Sequence, residues 1–95
     1  MNKFTIYLEI DQVTDSKINF LVKREDLYSI LKDCFIGATI EETLGLWDKK
    51  LNNAFKIEVI DVKEEKIKAF CQAVKVKFNQ ESILYIKEDV KSNFV

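Results

Sequence analysis

Residues 55–78 read FKIEVIDVKEEKIKAFCQAVKVKF, and within that stretch the apolar period changes from two to nearly four. Phe55, Ile57 and Val59 alternate with Lys56, Glu58 and Ile60, the pattern of a strand with one buried face. Further on, Ile67, Phe70, Cys71, Val74 and Phe78 fall at i, i+3, i+4, i+7 and i+11, which places them on one stripe of a helix. Asp61 stands where a cap is expected, Glu64 follows three residues later as in a capping box, and Asn79 and Gln80 end the element. A strand feeding directly into an amphipathic helix needs a sheet for that helix to lie on. The flanking sequence has to supply it.

Upstream, Phe35 to Leu46 carries Ile36, Ala38, Ile40, Leu44 and Leu46 on one parity, so a strand leads into a turn over Asp48 to Asn53 and pairs antiparallel with Phe55 to Ile60. Before it, Leu27, Ile30, Leu31 and Cys34 form the stripe of a first helix running from Arg24 to near Gly37, with Glu25 and Asp26 suited to its N-terminal end. Residues 11–17 are polar turn formers, and the short apolar run Ile18 to Val22 reads as an extended or edge segment. Phe4, Ile6, Leu8 and Ile10 alternate as the first strand. Downstream, Ser82 to Lys87 is the last strand, and the tail from Asp89 to Val95 offers Phe94 and Val95 to a sheet edge or a partner. Strand, helix, strand, strand, helix, strand is an α+β order. It predicts the ferredoxin-like βαββαβ arrangement, one antiparallel sheet with two helices on one face, as a single domain over 1–95.

Composition narrows the chemistry. The 95 residues are 47% hydrophobic and 33% charged with a net charge of −1, which suits one compact domain and gives duplex DNA no overall attraction. Histidine is absent and there are two glycines, so imidazole chemistry, a glycine-rich phosphate loop and a histidine-based metal site are excluded. No cofactor or metal is expected. Cys34 and Cys71 lie on the apolar stripes of the two helices and read as reduced, buried thiols. No apolar run is long enough for a signal peptide or a membrane span, which leads to the expectation of a cytoplasmic protein without membrane contact.

Paired carboxylates such as Glu41 with Glu42, or Glu9 with Glu58, are candidates for acid–base work, and nothing in their spacing closes a cleft around them. No catalytic residue is assigned, and a non-enzymatic protein is expected. The sheet face left open by the helices would carry Tyr7, Glu9, Thr39, Glu41, Thr43, Trp47, Lys56 and Glu58, together with Ile60 and Tyr85. Its acidic central strands disfavour RNA, and its apolar members predict association into a homo-oligomer. Trp47, the only tryptophan, adjoins Lys49 and Lys50 at the hairpin mouth. An indole there can stack on a nucleobase while lysines neutralise phosphate, or it can plug the end of the core. Arg24, the only arginine, stands before the first helix and could join its N-terminal amides around a phosphate. Gln80, Glu81 and Ser82 could read a ligand edge or cap the exit of the second helix and shape the turn into the last strand.

Gly45-Leu46-Trp47, the strand to Ile60, and Phe78-Asn79-Gln80-Glu81-Ser82-Ile83-Leu84 resemble a family of small uncharacterised bacterial and phage proteins. In these a Gly-x-Trp hairpin precedes an acidic strand and a Phe-x-Gln-Glu-Ser-Val-Leu segment opens the last one. The resemblance covers roughly residues 36–95; in the turn after the tryptophan, where the family commonly has glycine, this chain has Asp48-Lys49-Lys50. It implies the same fold and a phage or mobile-element origin. The resulting expectation is an oligomeric binder that sequesters a nucleotide-derived immune signal through Trp47, Arg24, Lys49, Lys50, Gln80 and Ser82. The alternatives are an inhibitor that binds a host defence protein, as an anti-CRISPR does, and a cellular ferredoxin-like regulatory module.

Overall fold

The computed structural model describes residues 1–91. Four strands and two helices follow in the order β1 (Asn2–Gln12), α1 (Lys17–Cys34), β2 (Thr39–Trp47), β3 (Lys50–Ile60), α2 (Glu64–Lys77) and β4 (Leu84–Asp89). The sheet is antiparallel throughout with strand order β2-β3-β1-β4, the ferredoxin-like topology. Alternation in β1 and β3 sends Phe4, Ile6, Leu8, Phe55, Ile57 and Val59 to the helix side, where all six are buried. Leu27 and Leu31 of α1, with Ile67, Phe70, Cys71 and Val74 of α2, close the core from above.

Aromatic contacts fix how the helices sit. Phe20 stacks on Phe55 at 5.9 Å between ring centroids, Tyr28 meets the same ring edge-on at 6.3 Å, and Phe35 tilts against Phe70 at 5.4 Å. The hairpin between β2 and β3 turns on Asp48 and Lys49 alone, both with positive φ (49° and 61°), as a primed two-residue turn requires. That turn is shorter than the Asp48 to Asn53 loop expected from composition, because Asn52 and Asn53 pair as strand residues.

Several sequence expectations are corrected. Ile18 to Val22 is helical, not extended: α1 begins at Lys17, capped by Ser16, whose Oγ accepts from the Asn19 amide at 3.5 Å. Phe20 stands seven residues before Leu27 and extends the same stripe. Arg24 consequently lies within the helix, remote from its N-terminal amides. The second strand starts at Thr39 instead of Phe35, and Phe35 is the buried C-cap residue of α1. Asp61 does not cap α2. Its backbone has a positive φ of 60° and its amide donates to the Asn2 carbonyl at 2.7 Å, while the helix starts after Lys63 without a side-chain cap. Tyr85 is opposite Ile6, so it faces the helices and not the open side. It packs edge-on to Phe4 and donates to Glu64 at 2.8 Å. Phe94 and Val95 lie outside the described residues.

Candidate functional site

The site starts from a glycine. Glu9 projects from β1 onto the open face beside Ala54 of β3, and Gly45 of β2 lies one strand beyond. The Glu9 side chain lies across this trough of small residues. A Cβ on Gly45 would collide with Glu9 Oε1 and stand 3.1 Å from its Cδ. Asn52, paired with Gly45, donates its Nδ2 to Glu9 Oε2 at 3.2 Å and anchors the carboxylate there. The glycine of the Gly-x-Trp pattern is therefore explained by a close approach, since its backbone has no positive φ.

Trp47 lies two residues on, on the same face, and is 73% exposed. It is not a plug over the core. Across the sheet end, α2 closes with Asn79 at φ 53° and the Gln80 amide bonded back to the Lys75 carbonyl at 2.9 Å, a Schellman-type ending. This ending brings Gln80, Glu81 and Ser82 level with Tyr7, Glu9 and Trp47 around a cleft of about 470 Å³. A second cleft of about 370 Å³ opens on the other side of Glu9, Trp47 and Gln80. Asp11, Asp15, Lys23, Asp48 and Lys50 line it. Asp11 is nearly buried there, accepting from Asn53 Nδ2 at 2.9 Å with Lys23 Nζ at 3.7 Å.

Of the residues selected from sequence, Trp47, Gln80 and Ser82 share the larger cleft, and Lys50 lines the smaller one with Trp47 and Gln80. Lys49 sits in the turn and lines neither. Arg24 also lines neither: Nη1 donates to Glu42 Oε1 at 2.9 Å, which raises the guanidinium pKa, and the group stands 6.0 Å from the Tyr28 ring centroid. Glu9 and Tyr7 are the residues that sequence reasoning placed on the open face without giving them to the ligand site. The Gly45 to Glu9 clearance was the missing signal. The carboxylate pairs do not form. Glu41 and Glu42 project to opposite sides of β2, and Glu58 is engaged by Lys3 at 3.5 Å and Lys56 at 3.3 Å.

Among the described residues, no three Cys, Asp or Glu side chains converge to hold a metal ion, and no helix is long and apolar enough to cross a membrane. Cys71 is buried and Cys34 half-buried, both as free thiols, and loss of hydration raises both pKa values.

No protein-family model matches the chain, and no curated protein sequence does. Solved structures do. A phage SAM lyase in its apo state superposes with a TM-score of 0.58 at 21% identity, over 92% of this chain and 78% of that one. CPII, a nitrogen regulatory PII-like protein from Thiomonas intermedia K12 bound to ADP, AMP and bicarbonate, gives a TM-score of 0.60 at 18% identity over 99% and 93%. CutA1 from Oryza sativa gives 0.50 at 16% identity over 99% and 84%. At these identities the likeness is one of fold, and with the strand order above it makes this chain an α+β protein of the ferredoxin-like, βαββαβ class.

Proposed function

We propose that the protein is an oligomeric, non-enzymatic binder that sequesters a nucleotide-derived small molecule, with the adenosine part held in the cleft between Trp47 and the α2–β4 connection. The observation that carries this reading is the convergence of an exposed indole, an anchored carboxylate and the Gln80 to Ser82 segment around one cleft. The indole supplies a stacking surface for a base. Glu9 is suited to accept from a ribose diol, and Gln80 and Ser82 offer donors and acceptors for the base edge. The fold neighbours support the ligand class, since SAM, ADP and AMP all carry adenosine.

Charge refines the ligand. The larger cleft is lined by Glu9 and Glu81 with no cation, and in the smaller one Lys23 and Lys50 face Asp11, Asp15 and Asp48. Such a lining disfavours ligands dense in phosphate, so affinity is expected to fall as phosphates are added to adenosine. Tyr7, Ile60, Leu84 and Ile86 are exposed on the open face, which supports association with further copies.

Native mass spectrometry after incubation with SAM, adenosine, AMP and ADP tests the reading. It predicts a multiple of 11.1 kDa carrying ligand whose mass is unchanged on release. Release of a cleaved product would replace binding by catalysis of the kind the lyase neighbour's name describes. A bare monomer with all four ligands would reject the reading.

A further inference from the structure

β2 is an edge strand of nine residues, and all but the half-buried Gly45 are exposed. The primed turn pairs Trp47 with Lys50, and this closing pair sets which backbone groups point inward. Thr39, Glu41, Thr43, Gly45 and Trp47 direct their amides and carbonyls to β3. Ile40, Glu42, Leu44 and Leu46 direct theirs outward. Edge strands usually carry charge or proline against pairing with another chain, and here Glu41 and Glu42 are the only charges along Thr39–Trp47.

Those two acids select one register. We propose that β2 is an interface for a second copy of this chain, pairing antiparallel with its counterpart about a two-fold axis at Thr43. Glu42 then lies opposite Leu44 of the second copy, Ile40 opposite Leu46, Glu41 opposite Gly45, and Thr39 opposite Trp47. The outward-pointing residues meet as hydrogen-bonded pairs, as the ladder requires. Centring the axis on Glu42 or on Glu41 sets like charges face to face, which is destabilising. Centring it on Leu44 shortens the overlap and pushes Ile40 against the turn at Asp48. In the Thr43 register no acid opposes another, all nine residues overlap, and Glu42 stays neutralised by Arg24. Ile40, Leu44 and Leu46, exposed on the helix side of each strand, are covered by their counterparts. The product is a continuous eight-stranded sheet, with the two Trp47 clefts on one side.

Thr43 meets itself across a non-hydrogen-bonded pair, where Cα atoms lie about 4.5 Å apart and a disulfide fits. Under mild oxidation, Thr43→Cys is expected to give a covalent dimer, while Thr39→Cys and the wild type, with its own Cys34 and Cys71, do not. Leu44→Glu places acids opposite Glu42 on both sides and should halve the mass seen by light scattering. Leu44→Lys places cations there and should preserve it. All three positions are exposed, and cooperative thermal melts would show the variants folded. The proposal is overturned if Thr43→Cys cross-links no faster than Thr39→Cys, or if Leu44→Glu leaves the assembly mass unchanged. The inference rests on the oligomeric part of the function proposed above, but ligand binding enters neither readout, so failure of this register and failure of the ligand reading are told apart.

Discussion

Gly45 has a role that follows from its neighbours two strands in. The Glu9 carboxylate occupies the space a side chain at 45 would need, and Asn52 holds it there. Gly45→Ala is therefore expected to lower stability by about 1 to 3 kcal/mol, the scale of a displaced charged hydrogen bond. In a Glu9→Ala background the same substitution should cost little, because the occupant is gone. Urea unfolding of the two single variants and the double variant measures this coupling; strict additivity would refute the contact. Trp47 behaves differently. Its exposure predicts that Trp47→Ala changes stability by no more than about 0.5 kcal/mol. The sequence made Trp47 conspicuous through its rarity, whereas Glu9 was one acid among sixteen and could be singled out only by what lies across the sheet from it. Arg24 shows the reverse: its uniqueness drew attention, and a partner eighteen residues away in sequence, Glu42, occupies it.

At the scale of elements, the second half of the chain was legible because its strand and helix each bury one clean stripe. Phe55 shows the consequence, being fully buried beneath both Phe20 and Tyr28. Phe55→Ala should cost about 3 to 5 kcal/mol in denaturant unfolding. The first turns of α1 were not legible. Ile18 and Val22 face solvent, so their apolar character pointed to a strand that tertiary stacking of Phe20 on Phe55 overrides. β4 is fastened to the start of α2 by Tyr85 and Lys87, which both donate to Glu64. The Tyr85 hydrogen bond first, and then Lys87, hold the Glu64 carboxyl below its ordinary pKa. A carboxylate depressed in the folded state contributes stability at neutral pH that is lost as pH falls through its folded value. Tyr85→Phe should accordingly flatten the acid limb of melting temperature against pH. An unchanged limb would show that this fastening does not couple to folding.

For the molecule as a whole, two strand–helix–strand halves were enough to specify the sheet order, since antiparallel pairing and helices on one face leave few alternatives. The clefts were less accessible to sequence reasoning. They arise where residues 7–12, 47–52 and 79–84 meet at one end of the sheet, with Asp15 and Lys23 beside the smaller one, a juxtaposition that includes the short turn at Asp48 and Lys49 and the left-handed ending at Asn79. Tyr7 and Leu84 belong both to the larger cleft and to the exposed open face, on β1 and β4 and away from the β2 edge. The most direct test of the account is calorimetric titration of wild-type protein and Trp47→Ala with SAM, adenosine, AMP and ADP. Saturable binding to the wild type is predicted, decreasing as phosphates are added, with a loss of about tenfold or more in Trp47→Ala at an unchanged melting temperature. Equal affinity in the two proteins, or no binding of any adenosine compound, would contradict it.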